Sequence, residues 1–198
     1  MSNQITLTGI QYLTLQALFK AASGDKSRMA LTRIFYDHDH DRFVATDGHI
    51  LRTETLAWEC EPPEKTFLLS KSQVMLSKSQ LKLQHGDAKN SDQPLQDIFI
   101  PIEYDEYGQD PELIYPAYMN VIPKAEDCTA VPYVGLNPWL LARICRTFFQ
   151  APTVIQFRFY GLLRTVLMYK AGYDEDGAGT FAGVVMPCRV TWEEENQT

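Results

Sequence analysis

Apolar and polar positions along the chain trace one motif three times. Ile5-Thr6-Leu7-Thr8 alternates as a strand would, and an apolar-rich segment from Ile10 to Ala22 follows with helical character. Phe67-Leu68-Leu69-Ser70 leads in the same way into Gln73-Val74-Met75-Leu76, and Val134-Gly135-Leu136-Asn137 leads into a helix from Pro138 to Phe149. Each strand places Leu directly before Thr, Ser or Asn, the side chains that accept hydrogen bonds from free N–H groups at a helix start. Pro138 suits the first helical position because it has no N–H to leave unsatisfied. The caps fall at 8, 70 and 137, a spacing of roughly 60 to 70 residues, which points to duplicated supersecondary units.

Strands follow each helix. Gly24 is a stop for the first one. Ala30 to Tyr36 reads as a strand, Asp37 to Asp41 as a turn, and Arg42 to Leu56 as two more strands around Asp47-Gly48. The second unit continues through Leu81 to Gln84, a polar loop from Gly86 to Gln93, a strand from Asp97 to Tyr104 and a loop from Tyr107 to Pro111. The third continues through Val154 to Phe159, a turn at Gly161, Leu162 to Tyr169, a loop from Gly172 to Gly179 and a last strand from Phe181 to Val190. Pro123 to Pro132 reads as a linker and Glu193 to Thr198 as a disordered tail. Each unit is β-α-β-β-β, so the expected class is α+β, with antiparallel sheets and helices on one face.

Composition narrows the function. The 198 residues are 45% hydrophobic, enough for a core, and no apolar run reaches the length that crosses a bilayer. No signal peptide is expected from Met1-Ser2-Asn3-Gln4, and Cys60, Cys128, Cys145 and Cys188 form no CxxC pair, so a cytoplasmic protein with reduced thiols is expected. A net charge of −7 argues against binding nucleic acid over the whole surface, though not against one local basic face. On the third helix Arg143, Arg146, Thr147 and Gln150 share one side by spacing. They make either a solvated face or a stripe toward phosphates; Lys20, Lys71 and Lys78 add little to it.

Chemistry-bearing clusters lead elsewhere than catalysis or metal. Asp37, Asp39 and Asp41 match the first positions of a calcium loop, but Arg42 and Gly48 stand where Gly and Glu are required. No cofactor is expected. Asp174-Glu175-Asp176-Gly177 is an acidic turn. Neither Gly-x-Ser-x-Gly, a Walker loop nor GxGxxG occurs. Asp47 and His49 could share a strand face as part of a triad, yet no nucleophile accompanies them. His49 belongs in a pocket wall or as a satisfied, partly buried histidine, and an enzyme is not expected.

Three further segments carry a resemblance. Ala45-Thr46-Asp47-Gly48-His49-x-Leu51, Tyr115-Pro116-x-Tyr118-x-x-Val121-Ile122-Pro123 and Val184-Val185-Met186-Pro187-x-Arg189-Val190, in that order, resemble the bacterial sliding clamp, the beta subunit of DNA polymerase III. Val134-Gly135-Leu136-Asn137 also resembles the start of that family's final half-domain. The resemblance implies a closed ring of βαβββ units, with helices lining a hole for duplex DNA and sheets outside. It implies a shallow hydrophobic pocket for short peptides of polymerases, clamp loaders and repair proteins. Carried over by motif, that pocket uses Leu31, Thr46, Gly48, His49, Leu51, Pro116, Asn120, Val121, Asn137, Leu140, Val184, Met186, Pro187, Cys188 and Arg189. Lys20, Lys71, Lys78, Arg143 and Arg146 would face DNA. Residues 1–123 then correspond to the family's complete middle domain and 124–198 to the second half of its last domain. Family members carry six units, and the family's ring has twelve, where three are read here, so a homo-oligomer of about four copies would supply a full ring. Ile50 and Asn120 stand where the family usually has basic residues, and Cys188 where it has a second Met. A ring-less, peptide-binding module derived from a clamp is the alternative implied by the shortened body.

Overall fold

The computed structural model describes residues 4–58, 61–74, 98–102, 110–122, 134–147, 155–161, 164–170 and 183–187. All three caps read from the sequence close helix starts. Thr8 accepts from the Gln11 amide, and the Gln11 side chain reaches back to the Thr8 amide, opening α1 (Gly9–Leu18) with a capping box. Ser70 and Gln73 make the same reciprocal pair ahead of a helical turn at 71–74. The Asn137 side chain accepts from the Trp139 amide, with Pro138 in the first turn of α2 (Pro138–Cys145).

The strands are β1 (Gln4–Leu7), β2 (Ile34–Asp37), β3 (Arg42–Thr46), β4 (Ile50–Glu54), β5 (Phe67–Leu69), β6 (Ile98–Pro101), β7 (Ile155–Arg158), β8 (Val166–Lys170) and β9 (Gly183–Val185). Seven of them form one antiparallel sheet in the order β5-β2-β3-β4-β9-β8-β7, and β1 pairs with β6 in a second. The first two units interlock. The strand before the first helix, β1, pairs with β6 of the second unit, and the strand before the second helical turn, β5, pairs with β2 of the first. First and third units join where β4 meets β9, with Ile50 opposite Val185 and Leu51 opposite Val184.

Alternation along the strands splits the core in two. Ile34, Tyr36, Phe43, Ala45, Ile50, Phe67, Leu69, Met168 and Val185 face α1, α2 and the β1–β6 pair, where Tyr12, Leu15, Leu18, Ile98, Ile100 and Ile144 close over them. Phe35, Val44, Leu51, Leu68, Leu167 and Val184 face the other way, under Ala30, Leu113, Tyr115, Tyr118 and Tyr160. The expected class, antiparallel sheet with its helices on one face, is the observed one.

Local expectations needed adjustment in two places. Met29 to Thr32 form a 3-10 turn instead of the start of a strand, and β2 begins at Ile34. Thr147 is 1% exposed, not on the polar side of α2, because its hydroxyl turns back onto the Ile144 carbonyl.

Candidate peptide groove and helix face

The site begins at the turn between β3 and β4. The Thr46 hydroxyl donates to the Ile50 carbonyl and accepts from the Gly48 amide. One carboxylate oxygen of Asp47 accepts from the amides of both His49 and Ile50, at 2.8 and 2.9 Å. Gly48 takes φ +92, which favours glycine, and a Cβ there would stand 3.1 Å from Nη1 of the exposed Arg28 side chain. Asp47 is therefore spent on its own turn. Its second oxygen pairs with Arg143 of α2, and the His49 side chain is left exposed. The pair does not form a base and its orienting acid.

Two walls meet this turn. The His49 carbonyl accepts from the Met186 amide at 3.3 Å, continuing the β4–β9 ladder by one step. Leu51 and Val184, side by side below, are 3% and 2% exposed and form a floor with Leu167. Half-buried Leu31 and Ile122 pack against that floor. The 3-10 turn Tyr118–Val121 brings Ile122 in, and the Thr165 hydroxyl ties it to the sheet by donating to the Val121 carbonyl. At the rim Val121 and Met186 remain exposed, and Pro187 half-buried. The result is a set of exposed or half-buried apolar side chains, Leu31, Val121, Ile122, Met186 and Pro187, with the exposed His49 side chain beside them, over a closed apolar core; that composition suits contact with an apolar peptide.

Of the residues carried over by motif, Leu31, Leu51 and Val184 share one cluster, and Thr46, Gly48, His49, Met186 and Pro187 are joined to it by the turn and the strand end. Pro116 and Asn120 are exposed on the segment leading to Val121. Asn137 and Leu140 do not join the cluster. Leu140 packs on the helix-side core, and the Asn137 oxygen is occupied by its cap. Cys188 and Arg189 lie outside the described residues.

Sequence reasoning missed what holds the covering segment down. Tyr115 stacks on Phe35 at 4.7 Å, and the Tyr118 hydroxyl donates to buried Asp37 at 2.5 Å. Asp37 also meets Nδ1 of His40 at 2.9 Å and accepts from the Asp39 amide. Burial pushes its carboxyl up, but those bonds outweigh burial and hold it below the usual value. Burial also pushes the Tyr115 and Tyr118 hydroxyls up. The two tyrosines, three positions apart in the otherwise apolar Leu113-Ile114-Tyr115-Pro116-Ala117-Tyr118, were the available signal. Nearby, His38 turns to the Pro63 carbonyl, so the two histidines do not converge, and among the described residues no cluster fits a metal ion.

On the helix face, the half-buried Arg143 is engaged within the chain. Besides Asp47 it donates to the carbonyls of Lys20 and Ala22, in and just after the 3-10 turn that follows α1. Lys20, Lys71 and Arg146 are exposed, and Lys78 lies outside the described residues.

A capped-helix unit used three times, with sheets joined edge to edge and helices on one side, is the DNA-clamp fold. No protein-family model and no curated protein sequence matches the chain. Among solved structures, it is similar to the DNA polymerase sliding clamp of Bacillus subtilis, with TM-score 0.64 and 13% identity over 96% of this chain and 65% of that one. The sliding clamp of Caulobacter crescentus gives 0.64 at 15% identity over 96% and 66%, and the DNA polymerase III beta subunit of Thermotoga maritima 0.62 at 14% over 96% and 67%. The chain spans about two thirds of the length of these clamps. No helix among the described residues is long and apolar enough to cross a membrane.

Proposed function

We propose that this protein is a compact, cytoplasmic, sliding-clamp-like processivity factor without catalysis of its own. It holds a short apolar peptide of a polymerase or clamp loader in the groove between the β4–β9 junction and the Tyr118–Val121 turn. The helix layer, with Lys20, Lys71 and Arg146, faces duplex DNA without reading its sequence. Residues 1–123 act as a complete clamp domain and 124–198 as half of another, so encirclement requires several copies. One observation carries this reading: on a clamp fold, segments more than a hundred residues apart converge so that His49 and Met186 stand side by side over Leu51 and Val184. Calorimetric titration with a clamp-binding polymerase peptide tests the groove, and heat of binding that disappears in Met186→Asp is expected. No binding by the native chain overturns the groove.

A second reading is a peptide-binding module without encirclement. It is favoured by the commitment of Arg143 to Asp47, which leaves few cations among the described residues of the helix face in a chain with net charge −7. Retention on circular DNA that is lost when the circle is cut supports encirclement, because only a ring slides off an end. Peptide binding without such retention supports the module.

A further inference from the structure

Methionine is distributed unevenly over the two sides of the large sheet. Four of the chain's six methionines lie among the described residues. Met168 is on the helix side, 0% exposed, inside the core that α1 and α2 close. Met29, Met119 and Met186 are 37%, 40% and 39% exposed, and all three belong to the segments that build the peptide site. Met29 opens the 29–32 turn, Met119 lies in the Tyr118–Val121 turn, and Met186 follows the end of β9.

Each is presented by backbone that is itself tied down. The Met29 carbonyl accepts from the Thr32 hydroxyl at 2.7 Å, and Ala30 beside it is sealed in the groove-side core. The Met119 carbonyl accepts from the Ile122 amide at 3.2 Å, and Tyr118 before it is anchored on Asp37. The Met186 amide donates to the His49 carbonyl, and the alternation that sends Val184 into this core puts Met186 on the same side of the sheet. Leu31 and Ile122, from the same two turns, pack on that core as well. Fixed backbone with a flexible, apolar thioether in water is a surface that adapts to a peptide and that an oxidant also reaches.

We infer, on the peptide-groove reading above, that Met29, Met119 and Met186 form a redox-sensitive rim whose oxidation by peroxide releases the peptide while Met168 and the fold stay intact. In that step the thioether sulfur attacks one peroxide oxygen, the O–O bond breaks and an S–O bond forms. The other oxygen leaves as water, taking the proton of the first. Sulfur loses two electrons and peroxide gains them. The sulfoxide carries a strong acceptor where the peptide offers apolar contact, and covering it without a donor is unfavourable. A dithiol reductase reverses the step: the sulfoxide oxygen leaves as water and two thiols close into a disulfide.

The test uses the whole chain. It is treated with millimolar hydrogen peroxide, returned to a thiol reductant that restores oxidised cysteines and leaves sulfoxides, mapped by mass spectrometry and titrated with the clamp-binding peptide. Sulfoxide is expected at Met29, Met119 and Met186 ahead of Met168, with unchanged circular dichroism and peptide affinity weakened about tenfold. Methionine sulfoxide reductase is expected to restore the affinity. Met29→Leu/Met119→Leu/Met186→Leu keeps apolar volume at all three positions. Its affinity, whatever the starting value, is expected to be the same before and after peroxide, which also separates these sites from Met1 and Met75, outside the described residues. If that variant fails to fold, the reductase series on the native chain decides alone: affinity returns in step with loss of sulfoxide at the three sites, or the inference falls. Unchanged native affinity with all three oxidised, an equal loss in the triple variant, or Met168 oxidised as fast as the others in the folded chain overturns it. A native chain that binds no peptide before treatment removes the groove and the rim together. One that binds equally before and after removes the rim and keeps the groove.

Discussion

Arg143 either braces the fold or meets DNA, and a charge-removing double-mutant cycle with Asp47 separates the two. Asp47→Asn keeps an acceptor for the amides of His49 and Ile50 and replaces the charged acceptor that faces Arg143 with an NH2 donor. The Asp47 side chain is 7% exposed and the Arg143 side chain 38%. The pair therefore lies between exposed pairs, worth about 0.2–1 kcal/mol, and buried ones, whose disruption costs about 3–5 kcal/mol. Screening at the open arginine end sets the cost of Asp47→Asn at about 1–2 kcal/mol and the coupling with Arg143→Gln at about 1 kcal/mol. Arg143→Gln also releases the carbonyls of Lys20 and Ala22, so it is expected to cost somewhat more than Asp47→Asn. Asp47→Ala adds a buried, unpaired Ile50 amide, for a further penalty of about 1–3 kcal/mol. Urea unfolding followed by circular dichroism measures all four corners of the cycle. If Arg143 serves DNA instead, Arg143→Gln leaves the unfolding midpoint in place, weakens retention on circular DNA and gives a coupling below about 0.3 kcal/mol. That result would refute the brace.

Gly48→Ala forces a side chain into φ +92 and toward Arg28, and is expected to cost about 1–2 kcal/mol, read as a lowered thermal midpoint. Met186 is 39% exposed, so Met186→Asp should leave the thermal midpoint nearly unchanged while weakening peptide affinity at least tenfold, about 1.4 kcal/mol. Tyr118→Phe strips a donor from buried Asp37 and is expected to cost about 1–3 kcal/mol at neutral pH. Its pH dependence has a definite sign. Burial raises the Asp37 carboxyl, but its hydrogen bonds lower it further, so the folded value lies below the unfolded one. The stabilisation is then present above about pH 3.9 and is lost as pH falls through the folded value. Tyr118→Phe should flatten that acid loss in urea midpoints compared at pH 7 and pH 3.

Local chemistry was legible where a residue acts within a few positions of itself. Thr8, Ser70 and Asn137 each cap the helix start they precede, because a cap needs only a side-chain oxygen and an amide two or three residues on. The strand alternation also held, since the period of two directly decides which core Phe43 or Val44 enters. Long-range choices were not legible. Spacing put Arg143 and Thr147 on one helix face, but which face meets the sheet depends on partners about a hundred residues away. Asp47 and the carbonyls after α1 drew Arg143 inward, and the Ile144 carbonyl let Thr147 be buried. The anchoring of Tyr115 and Tyr118 was not legible because their partners, Phe35 and Asp37, lie about eighty positions earlier.

The placement of the groove explains why the two proposed activities are separable. Its floor needs only β4, β8 and β9, and its walls only the turns at 29–32 and 118–122. Those elements come from the first and third units and from the segment that follows the second, all within one copy. The Asp47 turn, braced by Arg143, fixes His49 against Met186 whether or not any other chain is present. Encirclement has different requirements. A ring of several copies needs contacts that no single copy contains. Peptide affinity should therefore be insensitive to protein concentration, while retention on circular DNA should rise steeply with it. A peptide affinity that tracked assembly instead would mean that the groove is completed by a second copy, which its geometry within one chain does not require.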